Sequence, residues 1–208
     1  MKKIVLIILT VLMSALIITF IFLCTKLTLP TFSDRNDTIQ SDVSLKWSSS
    51  LNKRQSHNSC AAYSTMAFLY VALDSIFDPE RINSDMTSRM RNEDTYPWGV
   101  TSFLKSQGIK SKIYWFGLLD DASRIKWIKQ MVSRNTPVIL IVGNRDYLHY
   151  VTILGYSESD FYIYDSNIPY FDLNGDLPGN KAVSYDNIMI WWKSAFFTLF
   201  RINLAISN

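Results

Sequence analysis

Three short apolar runs in the second half of the chain restrict the fold more than any other feature of the sequence. They occupy residues 137–143, 148–155 and 161–164 and are rich in β-branched and aromatic side chains. Each run is too short for an ordinary helix, and the polar residues 157–160 between the last two are typical of a turn. We therefore expect neighbouring antiparallel strands in a buried sheet.

The first half of the chain has the spacing of helices. Apolar side chains in residues 59–74 recur almost all round a helix, which predicts a buried helix with Asn58 or Ser59 as its N-cap. The same patterns predict further helices at 82–91, 98–107, 121–134 and 184–193 and further strands at 109–116 and 196–206. Helices that precede an antiparallel sheet indicate an α+β fold, with a helical N-terminal half packed on the sheet.

The N-terminal segment carries no charged residue between positions 4 and 24. As a helix with a rise of about 1.5 Å per residue it would be roughly 30 Å long, which is enough to cross a bilayer. We therefore predict one transmembrane signal anchor at residues 1–25, a tether at residues 26–45 and a folded domain at residues 46–208.

The alternatives to an uncleaved anchor are a cleaved signal peptide and a lipid anchor on Cys24. The apolar run is longer than that of a signal peptide, and Leu23 is bulky where a small residue is expected before a lipid-bearing cysteine. Lys2 and Lys3 precede the segment and only Lys26 follows it closely. The positive-inside rule then predicts a cytoplasmic N-terminus and an extracytoplasmic domain.

The formal net charge of +3 comes from the N-terminal segment. Without Lys2, Lys3 and Lys26 the 21 basic residues become 18, which equals the number of acidic residues. The sequence has no basic stripe of the kind that binds nucleic acid. It also has no Gly-rich phosphate loop and no His or Cys pair at ligand spacing, so we expect no nucleotide, metal or other cofactor.

Cys60 is the only cysteine outside the N-terminal segment, so the predicted domain has no partner for an internal disulfide. Such a cysteine is bonded to another chain, free and reactive, or simply buried. The polar residues 55–59 lead into the predicted helix and put Cys60 at its start. Unpaired N–H groups and the helix dipole stabilise thiolates at such positions, and the thiolate is the nucleophilic form of cysteine.

A cysteine nucleophile needs a general base and acid, and the chain has two histidines. His149 opens an apolar strand, where it can be presented at the edge of the predicted sheet. His57 is only three residues before Cys60 and is poorly placed to approach the thiol from the correct side, so we expect a loop neighbour. The alternative for His149 is a structural histidine bonded to the backbone.

Asp165 and Gln55 complete the candidate site. Asp165 ends the strand that follows the strand of His149, and a buried acid at that position needs a partner such as an imidazole. Asn167 is an alternative orienting residue, and a turn-forming role for Asp165 is the structural alternative. Gln55 lies five residues before Cys60 and is either an amide donor to an oxyanion or an ordinary loop residue.

The combined pattern resembles the papain-like bacteriocin-processing peptidases, which cut leader peptides after a Gly-Gly pair, and is most similar to their stand-alone, peptidase-like relatives. The resemblance covers about residues 50–206 and rests on residues 55–64, 136–142, 149–156, 161–165 and 184–192. It implies a papain-like fold in a bacterial protein with a peptide or protein substrate.

The resemblance also implies a role for each candidate residue. The family often has Gly directly after the cysteine and usually has Pro after the aspartate, whereas this chain has Ala61 and Ser166. Neither difference removes a catalytic group. The roles carried over are Cys60 as nucleophile, His149 as general base and acid, Asp165 as the residue that orients the imidazole, and Gln55 as oxyanion donor.

The predicted function is that of a membrane-anchored, extracytoplasmic cysteine peptidase with a Cys-His-Asp triad. The alternatives on the same fold are a non-hydrolytic binding or regulatory module at the membrane, and an acyltransferase or amidase with a non-peptide substrate. The presence of all four candidate residues favours the enzyme, because a decayed site would tolerate the loss of Cys60 or His149.

Overall fold

The computed structural model describes residues 2–32, 39–144, 147–168, 177–197, 200–201 and 204–208 and has a mixed α+β architecture, as predicted. Its helices are α1 (Lys2–Lys26), α2 (Cys60–Leu73), α3 (Pro79–Asp85), α4 (Pro97–Ser106), α5 (Asp121–Ser133) and α6 (Tyr185–Lys193), with a short 3-10 helix at Ser49–Leu51. Its strands are β1 (Leu27–Thr28), β2 (Val43–Ser44), β3 (Lys112–Trp115), β4 (Val138–Gly143), β5 (Leu148–Tyr156), β6 (Asp160–Tyr164), β7 (Lys181–Ser184), β8 (Phe196–Phe197), β9 (Phe200–Arg201) and β10 (Leu204–Ser207).

One eight-stranded sheet organises the molecule. Its order is β1-β3-β10-β4-β5-β6-β7, and β2 pairs with β5 outside this path. The three strands predicted from the apolar runs, β4, β5 and β6, are consecutive antiparallel neighbours. Strand β10 lies antiparallel between β3 and β4, and β1 adds to β3 in parallel. The sheet is therefore mainly antiparallel, and the C-terminal strand lies inside it.

Helix α2 packs against the sheet beside β5. Eleven of its 14 residues are buried, as its apolar surface predicts. Full burial of side chains such as Phe68 and Leu69 contributes about 2 kcal/mol each. The Thr152 hydroxyl of β5 also donates a hydrogen bond to the Ser64 carbonyl oxygen of α2 at 3.0 Å. These contacts fix the start of α2 relative to β5.

Helix α3 begins and ends earlier than the helix predicted at residues 82–91. Pro79 occupies its first turn, where a fixed φ and a missing N–H are tolerated. The Asp78 carboxylate caps the helix by accepting a hydrogen bond from the Glu80 backbone N–H at 3.3 Å. The apolar spacing predicts a later start for α3 because it does not take the Asp78 cap into account.

The single strand predicted at residues 196–206 is divided. Strands β8 and β9 pair antiparallel in a separate two-stranded sheet, and β10 alone joins the main sheet. Residues 198–199 and 202–203 of the prediction lie outside the described residues.

Residues predicted to anchor and tether the domain form helix α1 and two short strands, β1 and β2. Side chains of α1 are described at residues 3–15, 17 and 26. Over the described part of the chain, no helix is both long and apolar enough to cross a membrane. The structure therefore does not support the transmembrane helix predicted at residues 1–25.

Candidate active site

Cys60 is the first residue of α2 and is buried, with 5% of its surface exposed. Ser59 is the N-cap residue, but its hydroxyl donates to the Ser56 carbonyl oxygen at 2.8 Å and does not cap the helix. Asn58 adopts a left-handed backbone with φ of 51°, and its side-chain amide donates to the Asn92 carbonyl oxygen at 2.7 Å. The loop thus leaves the first turn of α2 free of a side-chain cap.

His149 is the second residue of β5 and lies opposite Val142 of β4. Its position depends on the turn between these strands, which closes with a hydrogen bond of 2.8 Å from the Asn144 N–H to the Tyr147 carbonyl oxygen. Gly143 permits the close approach, because its φ is +133° and a Cβ there would lie 2.0 Å from the Tyr147 oxygen. The turn therefore delivers a buried imidazole to the end of the sheet.

The His149 ring is held by Asp165. Its Nε2 atom lies 2.7 Å from Asp165 Oδ1, and the exposed fractions of the two side chains are 1% and 6%. Asp165 directly follows β6, the strand beside β5, as the sequence predicted. A buried aspartate and imidazole in direct contact satisfy each other, whereas either one alone would be costly to bury.

Asn180 fixes the backbone of Asp165. Its side-chain oxygen accepts from the Asp165 N–H at 2.8 Å, and its side-chain amide donates to the Asp165 carbonyl oxygen at 2.7 Å. Asn167, the alternative orienting residue, bonds to Asp165 through its backbone N–H at 2.9 Å, and its side chain donates to the Tyr147 hydroxyl at 3.0 Å. The imidazole partner in this structure is therefore the aspartate.

The other ring nitrogen of His149, Nδ1, is buried and has no hydrogen-bond partner among the described residues. Burial alone lowers the pKa of His149, but the hydrogen bond to Asp165 and the proximity of Cys60 and of the Asp165 charge raise this pKa to about 9. Because Nε2 contacts Asp165, Nδ1 is the atom left to interact with the thiol. The imidazole is thus placed between an acid and a thiol and favours its protonated form.

The charge of Asp165 is stabilised in return. Burial raises the pKa of this carboxyl, but the hydrogen bond and positive charge of His149 outweigh burial, with help from the Asn167 N–H and Lys181, and the net pKa is lowered. The geometry therefore favours a carboxylate beside an imidazolium over two neutral groups.

Gln55 lies next to the loop of Asp165. Its backbone N–H donates to the Ser166 carbonyl oxygen at 2.8 Å, and its side-chain oxygen accepts from the Ser166 hydroxyl at 2.7 Å. The side-chain amide hydrogens of Gln55 are not used in these bonds. Gln55 is thus close in space to the His149–Asp165 pair although it is distant from both in sequence.

His57 is exposed in the turn before Cys60. Burial raises the pKa of the nearby Asp94 carboxyl, and a hydrogen bond from Asn92 together with the proximity of His57 and His149 lowers it to a smaller extent. Asp94 therefore lies near the candidate site. The sequence did not indicate this position, because Asp94 is a single acidic residue in a polar loop.

Two aromatic residues that the sequence did not single out lie beside the imidazole. The Tyr147 ring stacks on His149 with a centroid distance of 5.6 Å, and the Trp191 ring of α6 lies 6.1 Å away. Tyr147 is 41% exposed, and burial together with the charges of Cys60, Asp165 and Asp94 raises its pKa to about 12. A neutral phenol at this edge gives the site an aromatic wall that is open to solvent.

The described residues contain no group of His, Cys, Asp or Glu that could hold a metal ion. The arrangement of a thiol, an imidazole and a carboxylate is instead suited to nucleophilic and proton-transfer chemistry.

Among solved structures, the chain is similar to a protein from Bacillus anthracis described as a C39-like peptidase. The TM-score is 0.53 at 14% sequence identity, and the match covers 81% of this chain and 97% of that chain. The two proteins share a fold. A cysteine protease of Carica candamarcensis is also similar, with a TM-score of 0.48 at 9% identity over 80% of this chain and 97% of that chain.

No protein-family model and no curated protein matches the sequence. The likeness to the C39-like peptidase supports the predicted papain-like fold, whereas nothing beyond the sequence resemblance supports the bacteriocin-processing branch.

Proposed function

We propose that this protein is a cysteine peptidase in which Cys60, His149 and Asp165 form the catalytic triad and Gln55 assists. One observation carries the proposal: the buried imidazole of His149 is bonded to Asp165 at 2.7 Å through Nε2, and its buried Nδ1 atom, without a partner among the described residues, is left to serve the thiol of Cys60. The resemblance in sequence and the likeness in fold to a C39-like peptidase support the same reaction class.

The pair of Cys60 thiolate and His149 imidazolium would carry out acylation. The thiolate sulfur bonds to the scissile carbonyl carbon, and the imidazolium then gives its Nδ1 proton to the leaving amine as the C–N bond breaks. The now neutral His149 takes a proton from water, whose oxygen attacks the thioester. Release of the carboxylic product restores the thiolate and the imidazolium.

The remaining groups would stabilise charge during these steps. Asp165 keeps Nε2 of His149 bonded and favours the imidazolium that protonates the leaving amine and that forms again when water attacks the thioester. The Gln55 amide and the Cys60 backbone N–H at the uncapped start of α2 would donate to the oxyanion of the tetrahedral intermediate. Both donors lie on the loop and helix that carry the nucleophile.

Turnover of a fluorogenic peptide amide, selected from a library against the wild-type protein, tests the proposal. Cys60→Ala and His149→Ala should each lower kcat by at least about 10³-fold, and the double variant should be little worse because the two residues act as a unit. His57→Ala is the matched control, since His57 is exposed in the same loop, and its kcat should stay near the wild-type value.

Two outcomes would count against the assignment. A Cys60→Ala variant that turns over substrate at the wild-type rate would exclude the proposed chemistry. A His57→Ala variant as damaged as His149→Ala would show that the base is assigned to the wrong histidine.

The location of the activity stays a proposal from sequence alone. The uncharged run at residues 4–24 suggests a membrane anchor with the domain outside the cytoplasm, and no helix in the described residues supports it. Fractionation with carbonate extraction would test it. Retention of the full-length protein with membranes is the expected result, and a soluble form that begins after the apolar run would contradict it.

A further inference from the structure

Ser166 joins Gln55 to the loop that carries Asp165 through two hydrogen bonds. The Ser166 carbonyl oxygen accepts from the Gln55 backbone N–H at 2.8 Å, and the Ser166 hydroxyl donates to the Gln55 side-chain oxygen at 2.7 Å. Ser166 is buried, with 1% of its surface exposed, whereas Gln55 is only partly buried. These hydrogen bonds therefore hold the partly exposed Gln55 side chain against the buried Ser166.

The direction of the second bond decides what the Gln55 amide can do. A glutamine amide has an acceptor oxygen and a donor NH₂ group on opposite sides of its terminal carbon. When the Ser166 hydroxyl occupies the oxygen, the NH₂ group is directed away from Ser166 and stays available as a donor. Without the hydroxyl the amide can rotate, and either of its ends can then face a substrate.

The backbone of Ser166 is itself held in place. Asp165, the preceding residue, is clamped by Asn180 through bonds of 2.8 and 2.7 Å and bonds to His149 at 2.7 Å. One short loop therefore contacts both the imidazole and the candidate oxyanion donor. A displacement of this loop would change the two together.

We propose that Ser166 is a positioning residue that orients the Gln55 amide so that its NH₂ group points at the oxyanion of the reaction intermediate. The proposal rests on the proposed peptidase function. It concerns a property of this chain, because the family that the sequence resembles usually has proline at this position and proline has no hydroxyl to donate.

The test compares Ser166→Ala, Ser166→Thr, Gln55→Ala and the Ser166→Ala/Gln55→Ala double variant on the same fluorogenic peptide amide. Loss of a full oxyanion donor typically lowers kcat about 10²–10³-fold, so a donor that is present but poorly oriented should lower it about tenfold. We expect that loss of kcat in Ser166→Ala, with KM within about twofold of wild type. Ser166→Thr keeps the hydroxyl and should recover most of kcat.

Two further readouts separate positioning from a general loss of structure. Alkylation of Cys60 by iodoacetamide needs no oxyanion donor, so its rate should be unchanged in Ser166→Ala. The double variant should be no slower than Gln55→Ala, because an amide that is absent cannot be misoriented. If Ser166→Ala fails to fold, Gln55→Glu is the substitute, since it keeps the oxygen that accepts from Ser166, removes the NH₂ donor, and should lose as much kcat as Gln55→Ala.

The outcomes distinguish this proposal from the one on which it rests. A wild-type protein without turnover would contradict the peptidase function, and this proposal with it. An active wild type would contradict this proposal alone if Ser166→Ala kept full kcat, if its loss persisted in the Gln55→Ala background, or if alkylation of Cys60 slowed to the same extent. Retention of kcat by Gln55→Glu would contradict it as well.

Discussion

At the scale of single residues, His149 determines the chemistry of the candidate site. A buried imidazole is normally neutral, because burial lowers its pKa. Here the contacts with Asp165 and Cys60 reverse that effect and raise the pKa of His149 to about 9. The protonated form is then available at neutral pH to stabilise a thiolate and to protonate a leaving group.

Substitution Asp165→Asn tests this electrostatic arrangement. The imidazolium is lost as pH rises through the pKa of His149, so kcat/KM of the wild type should fall on the alkaline side with a midpoint near pH 9. Removing the Asp165 charge lowers the pKa of His149, so the midpoint should move to lower pH. The loss of activity at neutral pH should be smaller than in His149→Ala, because the amide can still bond to the ring.

A pH–rate profile of the two proteins measures the shift. An alkaline midpoint that is the same in Asp165→Asn and wild type would show that the carboxylate does not control the charge of the imidazole.

The candidate residues could be predicted from sequence to different extents. Cys60, His149 and Asp165 stand at the ends of strongly patterned elements, so the pattern indicates where in the fold each of them lies. The orientation of Gln55 could not be predicted, because it depends on contacts with Ser166, 111 positions away. The clamp on Asp165 comes from Asn180, an ordinary loop asparagine whose role is visible only when the chain is folded.

At the scale of elements, the hairpin between β4 and β5 sets the position of His149. Gly143 has a φ of +133° and leaves no room for a Cβ, which would lie 2.0 Å from the Tyr147 carbonyl oxygen. Gly108 also has a positive φ, of +80°, but a Cβ there would meet nothing within 4 Å. A comparison of substitutions at the two glycines therefore distinguishes the cost of a positive φ alone from the additional cost of a steric clash.

We predict that Gly143→Ala destabilises the fold more than Gly108→Ala. The Gly108 variant bears only the cost of a side chain at positive φ, about 1–2 kcal/mol, whereas the Gly143 variant must also move the hairpin backbone. Urea unfolding measures the difference in the free energy of unfolding. At a temperature where both variants are folded, turnover should fall only in Gly143→Ala, and equal effects of the two substitutions would refute the role of the hairpin.

The elements themselves show where sequence patterns suffice. Helix α2 and strands β4 to β6 were predicted almost to the residue, because their apolar surfaces are continuous and their ends are marked by polar turns. The pairing of the two-residue strands β1 and β2 could not be predicted, since it depends on neighbours that are remote in sequence. The insertion of β10 between β3 and β4 could not be predicted for the same reason.

At the scale of the whole molecule, the site exists only because α2 packs on the sheet. Cys60 is carried by the helix and His149 by β5, and the buried contact from Thr152 to Ser64 joins the two elements at 3.0 Å. The folded state therefore holds an imidazolium and a carboxylate that are separate in the unfolded chain. This difference makes the stability of the protein depend on pH.

The direction of that dependence follows from the two pKa values. The pKa of His149 rises from 6.5 to about 9 on folding, so its stabilisation is complete below about pH 6.5 and is lost as pH rises through 9. The pKa of Asp165 is lowered from 3.8, so its contribution is present above about pH 4 and is lost as pH falls through the folded value.

Urea unfolding at several pH values tests this expectation, with His149→Gln as the control for all other titrating groups. The free energy of unfolding of the wild type should decrease between about pH 6.5 and pH 9 relative to that of the variant. Parallel curves for the two proteins in this range would exclude a raised pKa for His149.

The most direct test of the central claim is the rate at which iodoacetamide alkylates Cys60 in the full-length protein, followed by mass spectrometry at that residue as a function of pH. If His149 stabilises the thiolate, the wild-type protein should be alkylated much faster than His149→Ala at neutral pH. His57→Ala should match the wild type. A Cys60 that is unreactive at neutral pH, or one whose pH profile is the same with and without His149, would contradict the account.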